Sequence, residues 1–260
     1  MNLLRRYQLI LITFASATLF ACANPSKDVL APQGNLRMGL YKGSPTSILP
    51  ASGSLPARGI GYELGGDLAL QIGAQYSPII FEKNADVLAA VKNREVDLVF
   101  TNATSDRAKF IQFSKTVIKI EKGFLISPRS NITSQTAINR SNVKVGFSVG
   151  SNSQAELPGI LPNAILIPTN STKQAIEWLN SGKLDAFSTN KAILFEMEAS
   201  LPGSKVLPEV IGYEYLALGT PMERADPKKY LDQFVDQMIS SGKLKAVIER
   251  SGIRGLAPNE

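Results

Sequence analysis

"DVLAAVKNREVDLVFTN", Asp86–Asn102, lines up without a gap on "QAIEWLNSGKLDAFSTN", Gln174–Asn190, placing Asp97 on Asp185, Thr101 on Thr189 and Asn102 on Asn190. Each segment opens with apolar residues at helical spacing: Val87, Leu88 and Val91 in one, Ala175, Ile176 and Leu179 in the other. A polar turn follows, then a short apolar run suited to a buried strand. A second pair lies upstream of each: "LRMGLYKGS", Leu36–Ser44, matches "VKVGFSVGS", Val143–Ser151, as a strand running into a Gly-Ser loop. α/β chains repeat such units for physical reasons alone, so the matches do not by themselves prove duplication. They do predict two α/β lobes of similar plan, each delivering a Gly-Ser loop and a Thr-Asn pair from strand ends. In open α/β sheets ligands bind outside the carboxyl ends of the strands, so these four features are expected to face one cleft.

The remaining chain fits this layout. Leu68 and Ile72 predict a helix over Asp67–Gln75 after a turn at Gly65-Gly66. Asp226-Pro227 reads as a helix start, followed by Leu231, Phe234, Val235, Met238 and Ile239 on one face and by Gly242 as the stop. A further short helix is expected over Leu244–Arg250. Ser44–Gly61 is rich in Ser, Pro and Gly without periodicity, which predicts a long loop near the cleft.

At the amino end, Arg5 and Arg6 precede an apolar run from Leu9 to Phe20, the order of a bacterial export signal. The run is shorter than the ~20 apolar residues of a spanning helix and turns polar at once after Ala23. Residues 1–22 are therefore expected to be a signal peptide and 23–34 a tether. Two cleavages are open. Leu19-Phe20-Ala21-Cys22 resembles a lipobox, which would make Cys22 a lipidated first residue and anchor a periplasmic protein to a membrane; Ala21-Cys22-Ala23 also fits ordinary signal peptidase, which would release a soluble one. Phe20 is unusual in a lipobox, but an unpaired thiol is otherwise a liability in an exported protein, and lipidation is the favoured reading.

Without Arg5 and Arg6 the chain has 26 basic against 22 acidic side chains, scattered and without aromatic stacking motifs, so nucleic acid is not an expected partner. There is no histidine, and Cys22 is the only cysteine. His-based and thiol catalysis, disulfides, and zinc or other soft-metal sites are therefore excluded from the mature fold, and no cofactor or metal is expected. The mature length of about 235 residues is enough for one large core or two small ones.

"FTNATSDRAKFIQFS", Phe100–Ser114, resembles the solute-binding proteins of ABC importers, family 3, the amino-acid-binding branch with the type II periplasmic-binding fold. Arg107, Lys109, Phe113 and Ser114 occupy that family's places for an arginine, a following basic residue and a Phe-Ser ahead of an extended crossover. "GYELGGDLA", Gly61–Ala69, resembles its Gly-aromatic-acid-x-Asp-Leu-Ala with Gly65-Gly66 inserted. The resemblance spans Leu36 to Gly252. It implies two lobes, each a mixed sheet flanked by helices, joined by two hinge strands near Gly123–Ser127 and Tyr213–Leu218. Lobe 1 would comprise 35–124 plus 217–260, and lobe 2 would be 127–214. Ligand would close the lobes, and the closed form of a monomer would be recognised by an ABC permease or, in a sensory system, by a membrane receptor.

The same resemblance makes Arg107 the foremost candidate for holding a ligand carboxylate, since guanidinium presents a planar fork of donors. Asn102 and Thr104 stand beside it in sequence. Ser151, Asn152 and Ser153 precede a helix expected from Gln154, and donors at a helix start would complete an anion site. Tyr41 and Phe100 are candidates for the walls. One departure matters. Relatives place an aspartate for the ligand's α-ammonium where this chain has Asn190, followed by Lys191. A buried ammonium without a counter-charge is costly, so the expected ligand is a small carboxylate or related anion, or an amino acid held by neutral acceptors such as Asn102 and Asn190. Lys191 would favour an anion if it faces the cleft; the alternative is a solvated lysine at a strand end. The alternative of another class is a cyclohexadienyl-dehydratase-like enzyme on the same fold; Glu63, Asp67 and Glu196 are its candidate acids, but no paired-carboxylate motif is visible, and the expectation is a binding protein rather than an enzyme.

Overall fold

The computed structural model describes residues 25–224 and 226–258. Cys22 and the expected leader lie outside these residues. In chain order the elements are α1 (Pro25–Leu30), β1 (Asn35–Tyr41), α2 (Ile60–Ile72), β2 (Gln75–Phe81), α3 (Asn84–Lys92), β3 (Leu98–Asn102), β4 (Ile111–Phe113), β5 (Ile118–Ile126), β6 (Lys144–Ser148), α4 (Asn152–Ile160), β7 (Ile165–Thr169), α5 (Thr172–Ser181), β8 (Ala186–Asn190), α6 (Lys191–Ser200), β9 (Lys205–Val206), β10 (Gly212–Pro221), α7 (Lys228–Ser240) and α8 (Lys243–Ser251). Arg107–Lys109 forms a single 3₁₀ turn. Among the described residues no helix is long and apolar enough to cross a membrane.

The strands follow one path, β2-β1-β3-β10-β5-β8-β6-β7, with β4 on β10 and β9 on β5. Its two ends are built alike. Met38 and Gly39 pair with Leu98 and Val99 in parallel, and the repeat-equivalent Val145 and Gly146 pair with Ala186 and Phe187. The glycines have a packing reason to be there. A Cβ on Gly39 would lie 3.2 Å from Val96, and one on Gly146 would lie 2.5 Å from Leu184, the residue aligned with Val96. The paired aspartates also bond alike: Asp97 accepts from the backbone N–H of Arg37, and Asp185 from that of Lys144. Helices cover both faces of each half-sheet. Leu64, Leu68, Phe234 and Val247 pack on one face of the first, with Val87, Val91 and Val99 on the other; Leu157 and Ala175 belong to the two clusters of the second.

Among the named strands of the described residues, β5 and β10 pass between the halves. Leu216 pairs with both Asn102 and Ile118, so the first half of β10 runs along β5 and the second half along β3 and β4. Lys122 likewise pairs with both Gly212 and Asn190, which marks where β5 leaves β10 for β8.

Two segments differ from the sequence-based expectation. Gly65-Gly66 is no turn: α2 runs straight through it. A Cβ on Gly65 would lie 2.7 Å from Met38 Sδ and 2.9 Å from the Tyr76 ring, so the missing side chain lets the helix press onto β1 and β2. The expected tether is also structured from Pro25 onward. Leu30 is fully buried, Lys27 Nζ donates to the carbonyl of Gly73, and Arg224 donates to the carbonyls of Val29 and Leu30. Apolar burial of Leu30 and Ala31 makes α1 part of the first lobe.

Candidate functional site

The carboxyl ends of β1, β3, β6 and β8 open on one cavity, with about 540 Å³ free of protein atoms, mouth included. Tyr41, Ser44, Phe100, Thr101, Asn102 and Arg107 line it from one lobe; Ser148, Ser151, Asn152, Thr189, Asn190 and Ile193 line it from the other; Glu214 and Leu216 line it from hinge strand β10. Both Gly-Ser loops and both Thr-Asn pairs therefore contribute to a single wall.

Arg107 is buried, 8% exposed, on the 3₁₀ turn after β3. Its Nη1 donates to Thr101 Oγ1 at 2.6 Å and to the carbonyl of Asn102 at 3.3 Å, and its Nη2 reaches across the cleft to the carbonyl of Gly150 at 3.1 Å. That leaves N–H groups on Nε and Nη2 for a ligand carboxylate. Gly150 has φ 76°, a left-handed conformation that glycine adopts without strain, and its carbonyl also accepts from Asn84 Nδ2 at 2.9 Å. Burial pushes the guanidinium pKa down from its ordinary value, while the negative charge of Glu214 opposes the shift.

On the facing lobe, Ser151 is the N-cap of α4, which starts at Asn152 rather than Gln154. Ser151 Oγ and Asn152 Nδ2 are buried without a hydrogen-bond partner in the protein. They are polar groups at a helix start and can serve an anion. Three candidates belong elsewhere. Ser153 is buried in the first turn of α4, away from the cavity lining. Thr104 Oγ1 accepts from the Arg107 backbone N–H, so it shapes the turn without lining the cavity. Lys191 Nζ does not face the cleft: it donates to Glu121 Oε2 at 2.9 Å and to the carbonyl of Pro208 at 2.8 Å. A buried lysine needs such partners, and Glu121 supplies them on the far side of β5.

Asn190 is committed twice. Its Oδ1 caps α6 by accepting from the Ile193 N–H at 3.1 Å, which obliges Nδ2 to be the group that donates to Glu214 Oε2 at 2.8 Å. Asn102 is committed to the same hinge strand, its Oδ1 accepting from the Tyr215 N–H at 2.8 Å. Each side-chain oxygen thus already holds a backbone N–H, and neither is a free neutral acceptor of the kind expected for a ligand ammonium. Nearby, Lys122 is 1% exposed and ion-paired with Glu156; burial lowers its pKa, opposed by Glu214.

Glu214 was absent from the sequence-based site. A usable signal was present in "GYEYL", Gly212–Leu216: strand alternation turns Glu214 away from Tyr213 and Tyr215, which are 42% and 45% exposed, whereas Glu214 is 8% exposed. The candidate acids of the enzyme reading lie apart from this cavity: Glu63, Asp67 and Glu196 do not line it.

Residues 36–252 match the family model described as bacterial extracellular solute-binding proteins, family 3. A glutamine-binding protein of Geobacillus stearothermophilus is 24% identical over 135 residues, and the match spans 51% of each chain, about half the relative's length. Among solved structures, an L-cysteine solute receptor of Neisseria gonorrhoeae superposes with a TM-score of 0.77 at 19% identity, covering 87% of this chain and 97% of the other. An ancestral amino-acid-binding protein, a precursor of cyclohexadienyl dehydratase, superposes at 0.73 with 21% identity, covering 86% and 97%. These likenesses show the type II periplasmic-binding fold. With a family match over nearly all the described chain, the protein belongs to the bacterial extracellular solute-binding proteins, family 3.

Proposed function

We propose that this protein captures a small α-amino acid between its lobes on the outer side of the cytoplasmic membrane and delivers it to an ABC permease. The observation that carries the reading is Arg107: a buried guanidinium that lines the cavity, has N–H groups on Nε and Nη2 beyond those its protein partners take, and is bonded to Gly150 of the opposite lobe. A cation so placed holds a carboxylate and couples its binding to lobe closure. The names of the relatives, which bind glutamine and L-cysteine, support an amino acid over other carboxylates. The cavity also holds an acid, Glu214, which favours the amino acid over the simple anion, the two alternatives that the sequence left open.

The proposal includes export by the leader, with Cys22 as the acylated residue and a monomer as the working form. Mass spectrometry of the mature amino terminus separates acylated Cys22 from an unmodified start at Asn24. Calorimetry of the purified protein against the twenty proteinogenic L-amino acids, with dicarboxylates and phosphonates alongside, tests the ligand class. Saturable 1:1 heat with at least one amino acid is expected, and binding confined to dicarboxylates or phosphonates overturns it. Incubation with prephenate and arogenate is expected to leave both unconsumed.

A further inference from the structure

Resting on the amino-acid reading above, we infer that Glu214 of the hinge strand is the counter-charge for the ligand's α-ammonium, with Asn190 as the residue that positions it. Four observations converge. Glu214 lines the cavity, is 8% exposed and belongs to β10, which joins the lobes. Asn190 stands at the strand end where a carboxylate was expected, yet its amide is locked with Oδ1 on the α6 cap and Nδ2 on Glu214 Oε2. Asn190 therefore brings no negative charge to an ammonium, and one of its amide N–H groups is spent on Glu214. The negative charge has moved by one hydrogen bond, from the second-lobe strand end to the hinge strand.

Electrostatics favour this arrangement over an anionic ligand. Arg107 and Glu214 place one positive and one negative side chain in the cavity wall. A zwitterion with its carboxylate on Arg107 and its ammonium on Glu214 matches both, whereas a ligand without the amino group brings a second negative charge into a cavity that already holds Glu214 and leaves that carboxylate without a ligand partner. The same logic explains residue 190. An aspartate there, bonded to the same neighbours, would face Glu214 as a like charge at hydrogen-bond distance, and the amide removes that repulsion while keeping the helix cap. Because Glu214 sits on a crossing strand, it contributes its charge from the joint between the lobes.

Calorimetry on the purified protein tests this, using the twenty proteinogenic L-amino acids and, for each that binds, the carboxylic acid lacking its α-amino group. Loss of the amino group is expected to weaken binding by about 30-fold or more, the lower end of what unpairing a buried charge costs. Glu214→Gln is expected to lose about the same factor for the amino acid and to shrink its advantage over the desamino acid. Glu214→Gln/Asn190→Asp, which returns the charge to the strand end, is expected to recover most of it. If the wild type binds an amino acid but its desamino acid binds equally well, or Glu214→Gln keeps its affinity within about threefold, the assignment falls while the amino-acid reading stands. If the wild type binds no amino acid, the functional reading itself fails and the assignment with it. The wild-type comparison needs no variant, so a poorly folding Glu214→Gln does not shelter the claim.

Discussion

Arg107 Nη2 donates to the carbonyl oxygen of Gly150 at 3.1 Å, so the cation proposed to hold the ligand carboxylate also ties one lobe to the other. Under that proposal ligand capture and lobe contact share one side chain. Arg107→Ala is therefore expected to weaken amino-acid binding by about 30-fold or more in calorimetry. Arg107→Lys is expected to restore little, because an ammonium cannot donate to Thr101, Gly150 and a carboxylate from one planar fork.

Asp97 and Asp185 occupy equivalent repeat positions but carry different loads. Asp97 is buried and takes bonds from the backbone and guanidinium of Arg37 and from Arg224. Asp185 is half-buried and accepts from the backbone of Lys144. Asp97→Asn is expected to cost about 1.5–3 kcal/mol of stability, by removing the charge-assisted hydrogen bonds of two partly exposed arginines, and Asp185→Asn about 1 kcal/mol. Denaturant titration distinguishes them.

Asp97 also predicts an acid limb. Desolvation pushes its pKa up, but the Arg37 hydrogen bonds and the charge of Arg224 outweigh this and hold it below the ordinary carboxylate value. A carboxyl group whose folded pKa is depressed contributes fully above its unfolded pKa of about 3.9, and the contribution is lost as pH falls through the folded value. Stability measured against pH is expected to decline below about pH 4 from this source, and Asp97→Asn is expected to flatten that decline.

The two glycines inside α2 should respond oppositely to substitution. A Cβ on Gly66 meets Tyr76 only at 3.7 Å, an ordinary contact, so Gly66→Ala is expected to stabilise by about 0.5–1 kcal/mol through helix propensity. At Gly65 the contacts to Met38 and Tyr76 are under 3 Å, and Gly65→Val is expected to destabilise by about 1–3 kcal/mol. Thermal melting reads both.

Docking of α1 has a matching test. Leu30 has no exposed surface, and Leu30→Ala is expected to cost about 2–5 kcal/mol in denaturant unfolding. A stretch acting as a free tether would show no change.

How much was legible in the chain itself depends on whether a feature is set by local periodicity. The aligned segments at Asp86–Asn102 and Gln174–Asn190 become α3-β3 and α5-β8, because helical spacing, a polar turn and an apolar run each restrict the backbone within a few residues. The convergence of both Thr-Asn pairs was also legible, since parallel strands of one plan deliver their carboxyl ends to one side. Gly65-Gly66 misled for a physical reason: glycine permits a turn but equally permits close approach, and only Met38 and the Tyr76 ring, brought in by β1 and β2, decide between them.

The sequence alone determined two α/β lobes of one plan, because hydrophobic period acts over short stretches, and the family resemblance of Phe100–Ser114 singled out Arg107. Tertiary structure decided where the cavity's negative charge lies. Glu214 reaches the cavity wall only because β10 crosses from one half of the sheet to the other, and Asn190, 24 residues away in the chain, meets it there. Lys191 turned from the cleft to Glu121 for the same kind of reason, since a buried charge settles on the partner that the assembled strands offer, which its neighbours in sequence do not specify.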